Sequence, residues 1–163
     1  MKNLFVLGLG LCVALVVSGN AMAENAAVDQ ILFATGGDIT ETGAANFFLA
    51  DDNRVVTRQL DSSFLHGVTR SSVLALANDL GYEVEERPIE LDELQEWAER
   101  GEAFLSGTAA VLSPVGTVLR GDSQITFGDG EPGSNTLRLR ESLVAIQNGS
   151  GDDAHGWRTA VQS

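Results

Sequence analysis

Lysine is almost missing from this chain: Lys2 is the only one in 163 residues. Cysteine is reduced to Cys12, and proline to three residues. One thiol cannot build a disulfide framework. The two histidines, His66 and His155, stand too far apart in sequence for a spaced metal-ligand motif, and no metal is expected. No Gly-x-Ser-x-Gly elbow marks a nucleophilic serine, and no pair of carboxylates has the spacing expected for glycoside hydrolysis. Positive charge is scarce as well. Ten basic residues face 23 acids, for a formal net charge of −13. Such a field repels phosphate backbones and anionic lipid, so neither nucleic acid nor a membrane surface is expected as a partner. What remains is a chain of one-domain length, 44% apolar. A domain of this size buries roughly two-thirds of its unfolded surface.

The N-terminus reads as a secretory signal. Lys2 supplies the positive start, Leu4 to Val17 is an uncharged apolar run, and Ala21-Met22-Ala23 has the small-x-small pattern of a cleavage site. The run is shorter than the ~20 residues that span a bilayer. Cys12 lies inside it, which argues against a lipid-anchored cysteine. Cleavage after Ala23 would leave no lysine and no cysteine, with nine arginines against 23 acids. The expectation is a secreted or periplasmic protein, free of the membrane once cleaved. Its parts are a signal peptide (1–23), a folded domain (24–149) and a C-terminal tail (150–163).

Strand and helix patterns alternate through the domain. Gln30–Ala34, Asn46–Ala50 and Arg54–Thr57 read as strands, with turns at Thr35-Gly36-Gly37-Asp38 and Asp51-Asp52-Asn53. Thr69 reads as the N-cap of a helix running to Leu80, where Val73, Leu76, Ala77 and Leu80 share a face and Gly81 stops it. Tyr82–Arg87 is a strand ended by Pro88. Leu91–Arg100 is a second helix, closed by Gly101. Phe104 to Ser113, broken at Ser106-Gly107-Thr108, reads as strand, turn, strand, the second being Ala109–Ser113. Val118–Arg120 and Gln124–Phe127 read as a hairpin around Gly121-Asp122. Ser134 opens a third helix reaching Ile146. Trp97 reads as core, and Trp157 as docking an otherwise loose tail.

Three segments carry groups that can hold an anion or a charged ring. Glu41-Thr42-Gly43-Ala44-Ala45-Asn46 places an acid just before a strand. An acid beside a ring nitrogen would keep that nitrogen protonated; a solvated turn acid fits equally. Leu65-His66-Gly67-Val68-Thr69-Arg70 leads into a helix, whose first N–H groups and threonine hydroxyl form an anion site or a plain cap. Ser106-Gly107-Thr108-Ala109 joins two strands, and its glycine permits close backbone approach or a simple bend.

Taken in order, these segments resemble the C-terminal domain of the branched-chain amino-acid aminotransferases, fold-type IV enzymes that depend on pyridoxal 5'-phosphate. The likeness spans about Val28 to Val161. It rests on the Glu-Thr-Gly-Ala-Ala-Asn-Phe-Phe run, Leu-x-Gly-Val-Thr-Arg, Leu-Gly-Tyr-Glu-Val-Glu-Glu-Arg, Ser-Gly-Thr-Ala-Ala, Pro-Val-Gly and His-Gly-Trp. It implies a mixed α/β fold whose curved sheet wraps into a pseudo-barrel. It also implies that Glu41 pairs with the pyridinium nitrogen and Leu65 packs on the ring. Gly67, Val68, Thr69, Gly107 and Thr108 would cradle the phosphate, and the Thr108 and Ala109 amides would face the substrate carboxylate. His66 stands where the family has proline. The family's Schiff-base lysine lies upstream of the segment matching Ala27, with a phosphate-binding arginine. No catalytic residue can be assigned here, and no covalent attachment of the cofactor is expected. Two functions follow. One is a cofactor half-domain of an enzyme that transaminates leucine, isoleucine and valine with 2-oxoglutarate, inactive alone and partnered by itself or by a missing N-terminal half-domain. The alternative is a secreted, non-catalytic binding or structural protein that reuses the fold.

Overall fold

The computed structural model describes residues 11–16, 29–62, 65–120 and 122–161. Its strands are β1 (Leu11–Val16), β2 (Gln30–Thr35), β3 (Asp38–Thr42), β4 (Asn46–Ala50), β5 (Arg54–Thr57), β6 (Glu83–Glu86), β7 (Glu102–Gly107), β8 (Val111–Arg120) and β9 (Ser123–Thr126). Its α-helices are α1 (Val68–Asp79), α2 (Leu94–Arg100) and α3 (Ser134–Asn148). A short 3-10 turn, Leu91–Glu93, leads into α2 and carries a reciprocal capping box between Glu90 and Glu93.

The strands join in the order β3-β2-β1-β8-β7-β4-β5-β6, with β9 paired to β8. A further pairing, Glu41 opposite Asn46, links β3 to β4. Neighbours can therefore be followed from β3 through β2, β1, β8, β7 and β4 back to β3. The sheet curls into a ring of six strands, and β5 and β6 extend from β4 outside it. The mixed α/β architecture and the curved sheet are those the sequence implies.

β4 shows why the sheet has two covered faces. All five of its residues are buried. Phe47 and Leu49 join a core with Leu32, Ile39, Leu105, Val118 and Trp97. Phe48 and Ala50 face a second core with Val73, Leu76, Leu139 and Leu143 of α1 and α3. Phe48 stacks on its cross-strand partner Phe104 with ring centroids 4.9 Å apart. Such a pair is worth about 1 kcal/mol beyond its buried area. Trp97 is core, as its sequence setting suggests, with Arg54 and Arg100 guanidinium groups 5.0 and 4.5 Å from its ring.

Three local expectations are corrected. Gly36 (φ 67°) and Gly37 (φ 97°) form a two-residue hairpin turn, and the chain returns as β3. The sequence hides β3 because only Ile39 is apolar in Asp-Ile-Thr-Glu-Thr, and its inward partner is Thr42. Neither Thr69 nor Ser134 is a cap: α1 starts one residue before Thr69 on Gly67, and α3 is preceded by Gly133. Thr108–Ala110 is the turn, and the strand after it begins at Val111 rather than Ala109.

Residues 1–23, expected to be a signal peptide outside the folded domain, contain one described segment. Leu11–Val16 is a strand here, parallel to β2 on one side and to β8 on the other. A strand paired on both edges in parallel reads as a continuous apolar run, and so does the core of a signal peptide. Composition cannot separate the two. Lys2 and Ala21–Ala23 lie outside the described residues, as does Gly121 of the expected hairpin turn. No helix among the described residues is long and apolar enough to cross a membrane.

Candidate functional site

Three loops meet at the head of β4, and Asn46 ties them together. It is buried, with 4% of its surface exposed. Its Nδ2 donates to the Leu65 carbonyl at 3.0 Å. Its Oδ1 occupies the space beside Gly67, where an added Cβ would lie only 2.4 Å away. Its backbone pairs with Glu41 on one edge and Ser106 on the other. Next to it, a Cβ on Gly107 would come within 3.1 Å of the Ala44 carbonyl. Glu41, Leu65, Gly67 and Gly107 are thus gathered around one residue. Val68 and Thr69 follow Gly67 in the first turn of α1, and Thr108 and Ala109 follow Gly107 in the β7–β8 turn.

The cradle is open. Leu65 and Val68 are 74% and 84% exposed, and Thr108 and Ala109 are exposed too. The first turn of α1 has no side-chain cap and no acid, so its N–H groups are available to an anion. Among the described residues, the side chains of Glu41, Thr69 and Thr108 have no hydrogen-bond or ion-pair partner. Ser106, directly before Gly107, buries its Oγ without a partner. Val111, which ends the turn, has φ 62°. A β-branched residue there costs on the order of 1–3 kcal/mol, a strain typical of functional loops. His66 ties its loop in a way that proline would not, through a 2.9 Å contact between Nε2 and the Asp61 carbonyl.

Arg70 belongs to the same motif but does other work. It is 2% exposed, and its Nη2 donates to Glu86 at 2.6 Å and to the Arg58 carbonyl at 2.8 Å. It fastens α1 to β6 and does not face the cradle. Arg58 is committed to Asp38 and Asp61, whose hydrogen bonds push its pKa up.

The residues present fit the holding of a phosphorylated pyridine. Phosphate needs N–H donors, hydroxyls and close backbone approach. The first turn of α1, Thr69, Thr108, Gly67 with no room for a side chain and the tightly packed Gly107 supply these. Glu41, half-buried beside Asn46, supplies an acid. No lysine stands among the described residues; the one in the sequence is Lys2. Asn46 and Ser106 escaped the reading of site residues from sequence. A signal was present: an asparagine opening the buried strand Asn-Phe-Phe-Leu-Ala must satisfy its amide somewhere.

The curled mixed sheet matches that of the fold-type IV aminotransferases. Residues 12–118 match the family model of the class IV aminotransferases, and the chain belongs to that family. That family depends on pyridoxal phosphate. The chain is 43% identical over 145 residues to a probable branched-chain aminotransferase of Staphylococcus aureus, covering 85% of this chain and 40% of the relative. It is 41% identical over 147 residues to the branched-chain aminotransferase of Mycolicibacterium smegmatis, covering 84% and 40%. Among solved structures, the Escherichia coli branched-chain aminotransferase superposes with a TM-score of 0.74 at 27% identity, over 91% of this chain and 56% of that one. The branched-chain aminotransferase of the thermophilic archaeon Thermoproteus uzoniensis, solved with norvaline, gives 0.62 at 27% identity, over 74% and 38%. The chain spans about two-fifths of the length of the curated relatives it matches.

Proposed function

We propose that this chain is the cofactor-holding half of a branched-chain aminotransferase and that it binds pyridoxal phosphate without turning over substrate by itself. The convergence of Glu41, Leu65, Gly67 and Gly107 on Asn46 carries this reading. The bound group supplies an electron sink for charge developing on a substrate's α-carbon. Glu41 holds the proton on the ring nitrogen, since an opposite charge favours the charged form. Leu65 covers a ring face. Gly67, Val68, Thr69, Gly107 and Thr108 take the phosphate through amides and hydroxyls. The Thr108 and Ala109 amides face the substrate carboxylate. The family reaction on leucine, isoleucine and valine with 2-oxoglutarate also needs an amine to move the proton, and arginine stays protonated and cannot replace it.

Leu65 and Val68, exposed beside the cradle, mark the side on which a second copy or an N-terminal half-domain would pack. Export remains part of the proposal for any copy processed at Ala23. The absence of lysine after residue 2 favours a second reading, a secreted non-catalytic binding or structural protein.

Equilibrium dialysis of the purified chain against pyridoxal phosphate, with inorganic phosphate as competitor, tests the cradle. The expected affinity is about millimolar, worth ~4 kcal/mol, with no transfer from leucine to 2-oxoglutarate. Repeated turnover by contaminant-free protein would sink the inactivity; binding that phosphate does not compete with would sink the cradle.

A further inference from the structure

We propose that Leu11–Val16 is a stave of the strand ring, and that cleavage after Ala23 opens a strand-wide slot between β2 and β8 shaped for that segment. The proposal does not rest on the cofactor reading. It makes one stretch of chain serve two incompatible fates, so that export and the closed sheet exclude each other.

Pairing on both edges is the first support. Val13 to Val16 stand opposite Gln30 to Phe33 of β2, and Cys12 to Leu15 stand opposite Thr117 to Arg120 of β8. Both pairings are parallel. Among the described residues, no β2–β8 pairing exists to close the ring without β1. Adjacent strands lie about 4.8 Å apart, so removing one leaves two edges about 10 Å from each other. Each edge would present unpaired N–H and C=O groups to the same gap. A single extended segment, parallel to both, satisfies both edges, which is the geometry of strand addition.

Composition is the second support. Leu-Cys-Val-Ala-Leu-Val has no charge, no proline and no glycine, and it is rich in strand formers. That suits a doubly paired parallel strand as well as it suits a signal core. The third support is independent of the sheet. The match to the class IV aminotransferase family begins at residue 12, inside the run and ahead of Ala23. The occupant of the slot is therefore Leu11–Val16 itself. It is held in cis while residues 1–23 remain attached, and a second uncleaved copy can supply it in trans once they are lost.

Hydrogen exchange read by mass spectrometry tests this on the full chain, made in a membrane-free translation system where no signal peptidase acts. Amides of Leu11–Val16 should exchange about a hundredfold more slowly than in the unfolded chain, like those of β8. A second arm compares Ala14→Pro. Ala14 stands opposite both Ile31 and Leu119, and proline there removes an N–H and clashes with the ladder. Exchange in β2 and in Val118–Arg120 should then rise at least about tenfold, while β5 and β6 keep their protection. In the 24–163 chain the same β2 and β8 amides should lose protection, and synthetic Leu11–Val16 peptide carrying a solubilising tail should restore it. Random-coil exchange at Leu11–Val16 beside a protected β8 would overturn the proposal. So would β2 and β8 protection that neither Ala14→Pro nor the loss of residues 1–23 disturbs.

Discussion

The N-termini of α1 and α3 begin alike and end up as opposites. Each follows a glycine in extended conformation, Gly67 (φ −63°, ψ 132°) and Gly133 (φ −77°, ψ 162°), and neither glycine offers a side-chain cap. At α3 the vacancy is filled from within. Glu102 of β7 accepts the Asn135 N–H at 2.9 Å on Oε1 and the Thr136 N–H at 2.8 Å on Oε2. A Cβ on Gly133 would lie 2.0 Å from the Glu102 Cδ, so glycine is what lets the acid in. At α1 the neighbour admitted by the glycine is Asn46, a neutral amide that faces the Leu65 carbonyl. The positive end of α3's dipole meets an internal carboxylate, and that of α1 is left to solvent or a ligand. A filled helix end and an open one differ here by where one acid sits.

The largest expected effect breaks the α3 side of this contrast. Glu102→Ala should cost about 2–3 kcal/mol of stability, because three charge-assisted hydrogen bonds, from the Asn135 and Thr136 N–H groups and from Asn135 Nδ2, are lost at once. Urea unfolding measures it, and a loss below ~0.5 kcal/mol would mean that α3 does not depend on its internal anion. Next comes Gly67→Ala, which drives a methyl group into Asn46. It should destabilise the chain by about 1–2 kcal/mol and weaken pyridoxal phosphate binding in dialysis. Unchanged binding would show that Asn46 does not organise the cradle. Thr69→Ala sharpens the comparison from the open side. Affinity for phosphate should fall about tenfold, the worth of one hydrogen bond to a charged group, while stability stays within ~0.5 kcal/mol. Thr108→Ala should behave the same way. If neither weakens binding, the cradle is a relic.

A pH series gives the smallest effect and checks carboxylates away from both helix ends. Burial works to raise the Asp51 carboxyl, but the Asn53 and Arg54 amides and the Arg54 guanidinium outweigh it and hold its pKa below the ordinary value. Glu93 is lowered too: burial opposes, and Arg87 and the Glu90 amide prevail. A folded pKa below the unfolded one contributes stability that is fully present above the unfolded value, about 3.9 for Asp and 4.3 for Glu, and lost as pH falls through the folded value. Thermal midpoints should therefore gain nothing from these two groups between about pH 5 and 7, and lose their contribution below about pH 4. Asp51→Asn should flatten part of that acid limb. An unchanged limb would remove Asp51 from the account.

Much of the fold was legible because its signals are local. β4 and β5 appear at the bounds read from the sequence, and α1, α2 and α3 lie within a few residues of their expected ends. Gly81 (φ 88°) and Gly149 (φ 83°) follow α1 and α3, where left-handed glycine is expected. The cradle segments were legible for a different reason, their resemblance to a family, since each taken alone also fits a plain turn or cap. The tail was half legible. Trp157, read as docking the tail, is 39% exposed and stacks on His155, whose Nε2 reaches Asp79 at 2.6 Å.

The sequence by itself determined the class of chain: its acidity, its lack of lysine beyond residue 2, its alternation of strands and helices, and the motifs that place it with the aminotransferases. Each of these is written in composition or within a few consecutive residues. Tertiary structure alone decided three matters. It chose a sheet position for Leu11–Val16, a run whose composition suits a leader equally well. It chose Asn46 as the residue that joins the cradle loops, through a hydrogen bond spanning 19 positions. It chose which helix end receives an acid, through a contact between Glu102 and Asn135 that spans 33. Local propensity carries no information about partners that distant, because only the closure of the curled sheet brings them within hydrogen-bonding reach.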